Sequence, residues 1–206
     1  MEKFYRFVRS KMKFILLPLL FVFAALYLIY DIGIMSQGKF LNVLITIVGA
    51  TVIILLVGAA ILSIFLKNEK AQKFIAVSFV TYFILKGVLG LANEDIAMFA
   101  QVDDGVFITQ AIFQAFAALT LLVIVLFYLV GLFINKFEKL GRFLPFVFLG
   151  FIVFEFVAYI LLCVNYSRMD AGWYSYIGIT ATMIVLPLIC FFAYLLAAAF
   201  GSEEAK

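Results

Sequence analysis

Long apolar runs separated by short charged stretches make up almost the whole chain, and their lengths predict its elements. Six runs, at approximately 14–34, 40–66, 74–92, 106–134, 143–165 and 174–200, are each long enough to cross a bilayer as a helix. About 20 apolar residues at a helical rise of ~1.5 Å span the ~30 Å hydrocarbon core. The connections are brief: MSQGK, KNEKAQK, an acidic stretch holding Asn93, Glu94, Asp95, Asp103 and Asp104, then NKFEKLGR and YSRMDAGWY. The pattern predicts an all-α integral membrane protein, a single domain over 1–206 built as a six-transmembrane-helix bundle with short loops. The first run is too long for the apolar segment of a signal peptide and ends in LYLIYDIG rather than a small-residue cleavage site, so it reads as a retained span. Its Pro18 is expected in the first turns, where a missing N–H costs little. In the second run, Gly49, Gly58, Ala59 and Ala60 are expected to permit close helix contact.

Two charges break the apolar pattern. Lys86 lies 12 residues into the third run, counted from Phe74, and Glu155 lies 12 residues into the fifth, counted from Phe143. At the helical rise each sits ~18 Å deep, near mid-membrane. An ionisable group there costs roughly 2.5–3.5 kcal/mol on insertion scales and faces a bundle interior, a partner or water. Equal depth makes the two a candidate pair. Aligning 67–87 on 136–156 gives five identities in 21 positions, with Lys86 falling on Glu155 at an offset of 69 residues. Basic entry residues and Phe suit any inward helix end, so the match does not require duplication. A genuine repeat here is a parallel one.

Helical spacing sets further polar groups around these charges. Ser78, Tyr82, Lys86, Gly90 and Asn93 form one stripe; Tyr159, Cys163 and Tyr166 continue the face of Glu155; Thr180, Met183, Pro187 and Tyr194 share a face of the sixth run. Pro187 frees the carbonyl of Met183, which then needs a donor from elsewhere. The candidate site is Lys86, Glu155, Pro187, Met183, Tyr82 and Tyr159. One reading is a structural ion pair that fixes which helices adjoin; the other is an intramembrane site for a solute, an ion or a proton.

Lys and Arg alternate in number between successive connections: five before the first run, then one, three, none, three, one, and one in the tail. The positive-inside rule places both termini in the cytoplasm and makes the outer face acidic. Tyr27, Tyr30, Tyr166, Trp173, Tyr174 and Tyr176 are expected in an outer aromatic belt. With 67% hydrophobic and 13% charged residues, a water-soluble core is excluded. The net charge of +3 sits between spans, where topology explains it, so no nucleic-acid partner is expected.

The absence of histidine removes the usual haem or zinc ligand and the usual general base. Neither a metal nor a cofactor is expected. Cys163 and Cys190 fall in different spans, on the order of 15 Å apart along the axis and beyond bridging distance. The chain has no Gly-x-Ser-x-Gly elbow and no Walker loop, and no enzyme is expected. The Asn165-Tyr166-Ser167 sequon lies at the membrane edge and is discounted. The functional expectation is a non-enzymatic subunit or accessory component of a larger assembly in a bacterial cytoplasmic membrane, with the bilayer and other membrane subunits as partners. The alternative is a small-solute or ion permease using the site at Lys86 and Glu155.

Overall fold

A computed structural model of the chain describes residues 2–35, 40–66, 78, 80–82, 105–133 and 144–201. Almost all of them are helical. Helix α1 starts at Glu2–Phe7, passes through a π-helical turn at Val8–Met12 and continues over Lys13–Met35. Helices α2 (Phe40–Leu66), α3 (Gly105–Phe133) and α4 (Leu144–Arg168) are uninterrupted. Helix α5 runs Trp173–Thr180, widens into a π-helical turn at Ala181–Val185 and ends with Leu186–Gly201. These five are each long and apolar enough to cross a membrane. Of the third predicted span, 74–92, only Ser78 and residues 80–82 are described, and all four are helical.

The described helices divide into two packed groups that meet on α5. α3 and α4 pair most intimately, α1 and α2 pack together, and α5 touches α1, α2 and α4. In the apolar stretch of α5, 72% of residues are buried, against 22–39% in the other four spans. A helix that is apolar all round belongs in the interior of a bundle. Leu186, Ile189, Cys190, Ala193, Leu196 and Ala199 of α5 have no exposed surface. The alanines let neighbouring backbones approach, which matters because lipid tails compete equally for apolar side chains.

Helix α4 ends in a cap that turns the chain within four residues. Asp170 adopts φ 52°, the left-handed region, and the N–H groups of Ala171 and Asp170 reach back to the carbonyls of Tyr166 (2.9 Å) and Ser167 (3.4 Å). This is a Schellman closure, with Asp tolerated at the position that usually takes Gly.

Three expectations change. Pro18 lies well inside α1, because the basic segment before it is already helical, so the proline interrupts a ladder rather than opening one. Tyr27 is fully buried rather than part of a belt: it faces the bundle, edge-on to Tyr30 at 6.1 Å. In α2 Gly49, Ala59 and Ala60 are buried as expected, but Gly58 is not in close contact: a methyl group there would meet nothing within 4 Å.

Candidate functional site

The inward stripe of α4 reads Leu144, Phe148, Phe151, Glu155, Ala158, Leu162 and Asn165. Steps of four and three residues keep it on one face. The carboxylate of Glu155 is thus the one charge in an otherwise apolar and amide-bearing seam, and its residue has no exposed surface. Aromatic and hydroxyl contacts fix the antiparallel register of α4 against α5. Phe148 stacks on Tyr194 at 4.9 Å and lies 5.9 Å from Phe191; farther along, the Tyr159 hydroxyl is 3.1 Å from Oγ1 of Thr180, and Tyr166 meets Tyr176 edge-on at 6.0 Å. Glu155 falls between these pairs, level with the end of the π turn near Val185.

The π turn has a local cause. Pro187 has no N–H for the carbonyl of Met183 and its ring crowds that turn. The helix widens just ahead of it, so that the Leu186 N–H reaches Ala181 rather than the usual partner one residue nearer. Upstream, Thr180 and Thr182 donate their hydroxyls to the carbonyls of Tyr176 (2.6 Å) and Gly178 (3.0 Å), a back-bonding that bends helices. Pro187 therefore bulges the last helix without ending it.

Met183 projects from this turn into a buried cluster with Ala158, Leu162 and Ile179, against which Tyr159, Cys163 and Tyr166 pack. Tyr82 lies in the other, larger cluster, edge-on to Phe151 at 6.4 Å. Its hydroxyl is within electrostatic range of Cys190 and Tyr27. Tyr82 is thus the point where α1, α4, α5 and the third predicted span come together. The residue is buried, and among the described residues its hydroxyl has no hydrogen-bond partner. Ser78, one turn earlier on the same stripe, is also buried.

Met183 and Tyr159 share a cluster with Ala158 and Leu162, on the stretch of α4 that follows Glu155, Pro187 is buried on α5, and Tyr82 lies beside Phe151, one turn to the other side of Glu155. Lys86 lies outside the described residues. Cys163 and Cys190 are not joined in a disulfide. Among the described residues, no group of three or more carboxylate or cysteine side chains could hold a metal.

One polar contact was not anticipated. Asn165 donates its side-chain amide to Oε1 of Gln110 at 2.7 Å in the buried wall between α4 and α3. The two residues stand nearly equidistant from the centre of the NKFEKLGR connection, which is the signal an antiparallel hairpin leaves in sequence. The same contact occupies the asparagine of the sequon. No protein-family model, no curated protein and no solved structure matches this chain.

Proposed function

We propose that this chain is a multi-pass membrane protein that binds a small polar solute or an ion inside the bilayer and passes it across, a permease-type activity without covalent chemistry. One observation carries the reading: the buried Tyr82 hydroxyl, without a hydrogen-bond partner among the described residues, sits one helical turn from the level of the buried Glu155. Leaving such a hydroxyl unpaired costs about 1–3 kcal/mol, so a polar occupant recovers free energy there. The bulge of α5 at the same depth supports the reading, because irregular backbone at membrane depth is tolerated where it lines a cavity or a binding site. Lys86 joins the site in this proposal, as counter-charge to Glu155 when no solute is bound. The bundle has six spans, with both termini cytoplasmic.

The test uses proteoliposomes of the full chain holding a pH-sensitive dye, with a potassium gradient and valinomycin to drive flux. Wild-type protein should carry protons or a co-transported ion, Glu155→Gln should abolish the signal, and Tyr82→Phe should weaken it. Flux that is unaffected by Glu155→Gln would place the pathway elsewhere.

A second reading, a non-enzymatic subunit of a larger membrane assembly, is supported by the four-residue turn between α4 and α5. So short a turn leaves little outside the bilayer for autonomous work. Inactive proteoliposomes, together with a stoichiometric partner retained on gentle extraction, would favour it.

A further inference from the structure

We infer that a cavity between α1 and α5 binds a single-chain amphipath with an uncharged, hydroxyl-bearing head, of the monoacylglycerol type, taken up sideways from the bilayer. The cavity holds about 300 Å³, and none of its lining residues belongs to the candidate solute site. Its polarity is graded along the helices. α1 and α5 run antiparallel, with the Tyr5 hydroxyl beside that of Tyr194 at one end and the Tyr30 hydroxyl against Gly178 at the other. Tyr30 and Tyr176 line the cavity at the ends of the two apolar stretches, whereas Leu26, Ala181 and Val185 line it toward the middle of the spans. From Tyr176 to Val185 the helix rises about 13 Å, close to half of the ~30 Å hydrocarbon core. Spread over that length, the volume gives a cross-section of about 20 Å², the width of one alkyl chain.

Three features select the occupant. Leu26 and Ile177 are exposed on the outside of the bundle, within the apolar stretches, so the mouth opens on hydrocarbon and a ligand arrives from there. No lining residue is charged, so an ionised head would lose its water without gaining a counter-charge. Thr180, which also lines the cavity, donates its hydroxyl to the Tyr176 carbonyl at 2.6 Å, which makes Tyr159 the donor in the 3.1 Å contact between the two hydroxyls. One lone pair of Thr180 is left, and it suits a head that donates an O–H. A diacyl phospholipid brings a second chain and a charged head, and neither has a place here. The deep wall is the π turn itself, whose first and last residues, Ala181 and Val185, both line the cavity. Such turns recur at functional sites.

The experiment is photolabelling of the full chain in phosphatidylcholine liposomes by 1-lauroylglycerol carrying a diazirine midway along its chain, with the labelled residues mapped by mass spectrometry. Labelling should concentrate on Leu26, Ala181 and Val185 and saturate with probe. Unlabelled 1-lauroylglycerol should suppress it, whereas dodecyl phosphate, which stays ionised, and additional phosphatidylcholine should not. Ile177→Trp narrows the mouth from an exposed position and should remove most of the labelling, while Phe65→Trp, exposed on α2, should leave it intact. Unsaturable labelling spread over exposed residues such as Ile29 and Phe65 would overturn the inference. So would equal suppression by dodecyl phosphate or phosphatidylcholine, undiminished labelling in Ile177→Trp, or its loss in Phe65→Trp.

Discussion

The ring of Tyr82 meets the ring of Phe151 edge to face at 6.4 Å, and the two residues are 69 positions apart. The same interval separates Lys86 from Glu155, each four residues farther along its run. A Lys86–Glu155 pair requires the same offset.

The pair therefore yields a double-mutant cycle. Removing one partner of a buried ion pair destabilises by about 3–5 kcal/mol. Lys86→Ala and Glu155→Ala should each lower the thermal stability of the solubilised protein, and the double variant should be damaged less than the sum. Exchange of the two residues should restore most of the stability. Strict additivity in the melting curves would mean that they do not interact.

The Gln110–Asn165 bond should behave as an isolated buried amide contact. Gln110→Ala and Asn165→Ala should each cost about 1–2 kcal/mol, with a coupling energy near the ~0.6 kcal/mol average measured between membrane helices. Denaturant titration of the two single variants and the double variant reads this directly. A coupling indistinguishable from zero would contradict the observed geometry.

Two glycines should respond oppositely to alanine. A Cβ on Gly178 would lie 3.1 Å from the Tyr30 hydroxyl, whereas one on Gly58 meets nothing within 4 Å. Gly58→Ala should gain about 0.5–1 kcal/mol from helix propensity, and Gly178→Ala should gain less or lose stability as Tyr30 shifts. Equal gains in melting temperature would show that Tyr30 yields freely.

Pro187→Ala returns an N–H that can reach the Met183 carbonyl. Amide exchange across 181–190 should slow in this variant as the bulge relaxes toward regular helix. Unchanged exchange would assign the π turn to its neighbours rather than to the proline.

Topology is read by single cysteines in a background lacking Cys163 and Cys190. Positions Gln72 and Asn135 should be protected from an impermeant thiol reagent in intact cells, and Gln101 and Ala171 labelled. The reverse pattern, or labelling of all four, would defeat the six-span arrangement.

Membrane character and the positions of five spans are legible in sequence because run length alone decides them. The inward placement of Glu155, Tyr82 and Ser78 is legible too, since a polar group in an apolar run has one favourable direction to face. The centrality of α5 is not. A run such as LPLICFFAYLLAAAF is apolar all round, so periodicity carries no face, and only packing reveals that Cys190 and Ala193 lie inside while Ile29 and Phe65 look outward. The two π turns leave no mark in periodicity either. Helix before Phe14 was hidden because a basic segment reads as a flank, although its Tyr5 and Val8 pack like core.

The burial of α5 also orders assembly in time. It is the last of the five described spans to leave the ribosome, yet α1, α2 and α4 all pack against it. Until it arrives, the α3–α4 hairpin and the α1–α2 hairpin can each close on themselves but lack the wall that α5 gives to both. The carboxylate of Glu155 must then wait in the membrane, or at the insertion machinery, without the helix that seals it. A chain stalled before residue 173 should accordingly lack the wall that α5 gives to both hairpins and be an early target for membrane quality control.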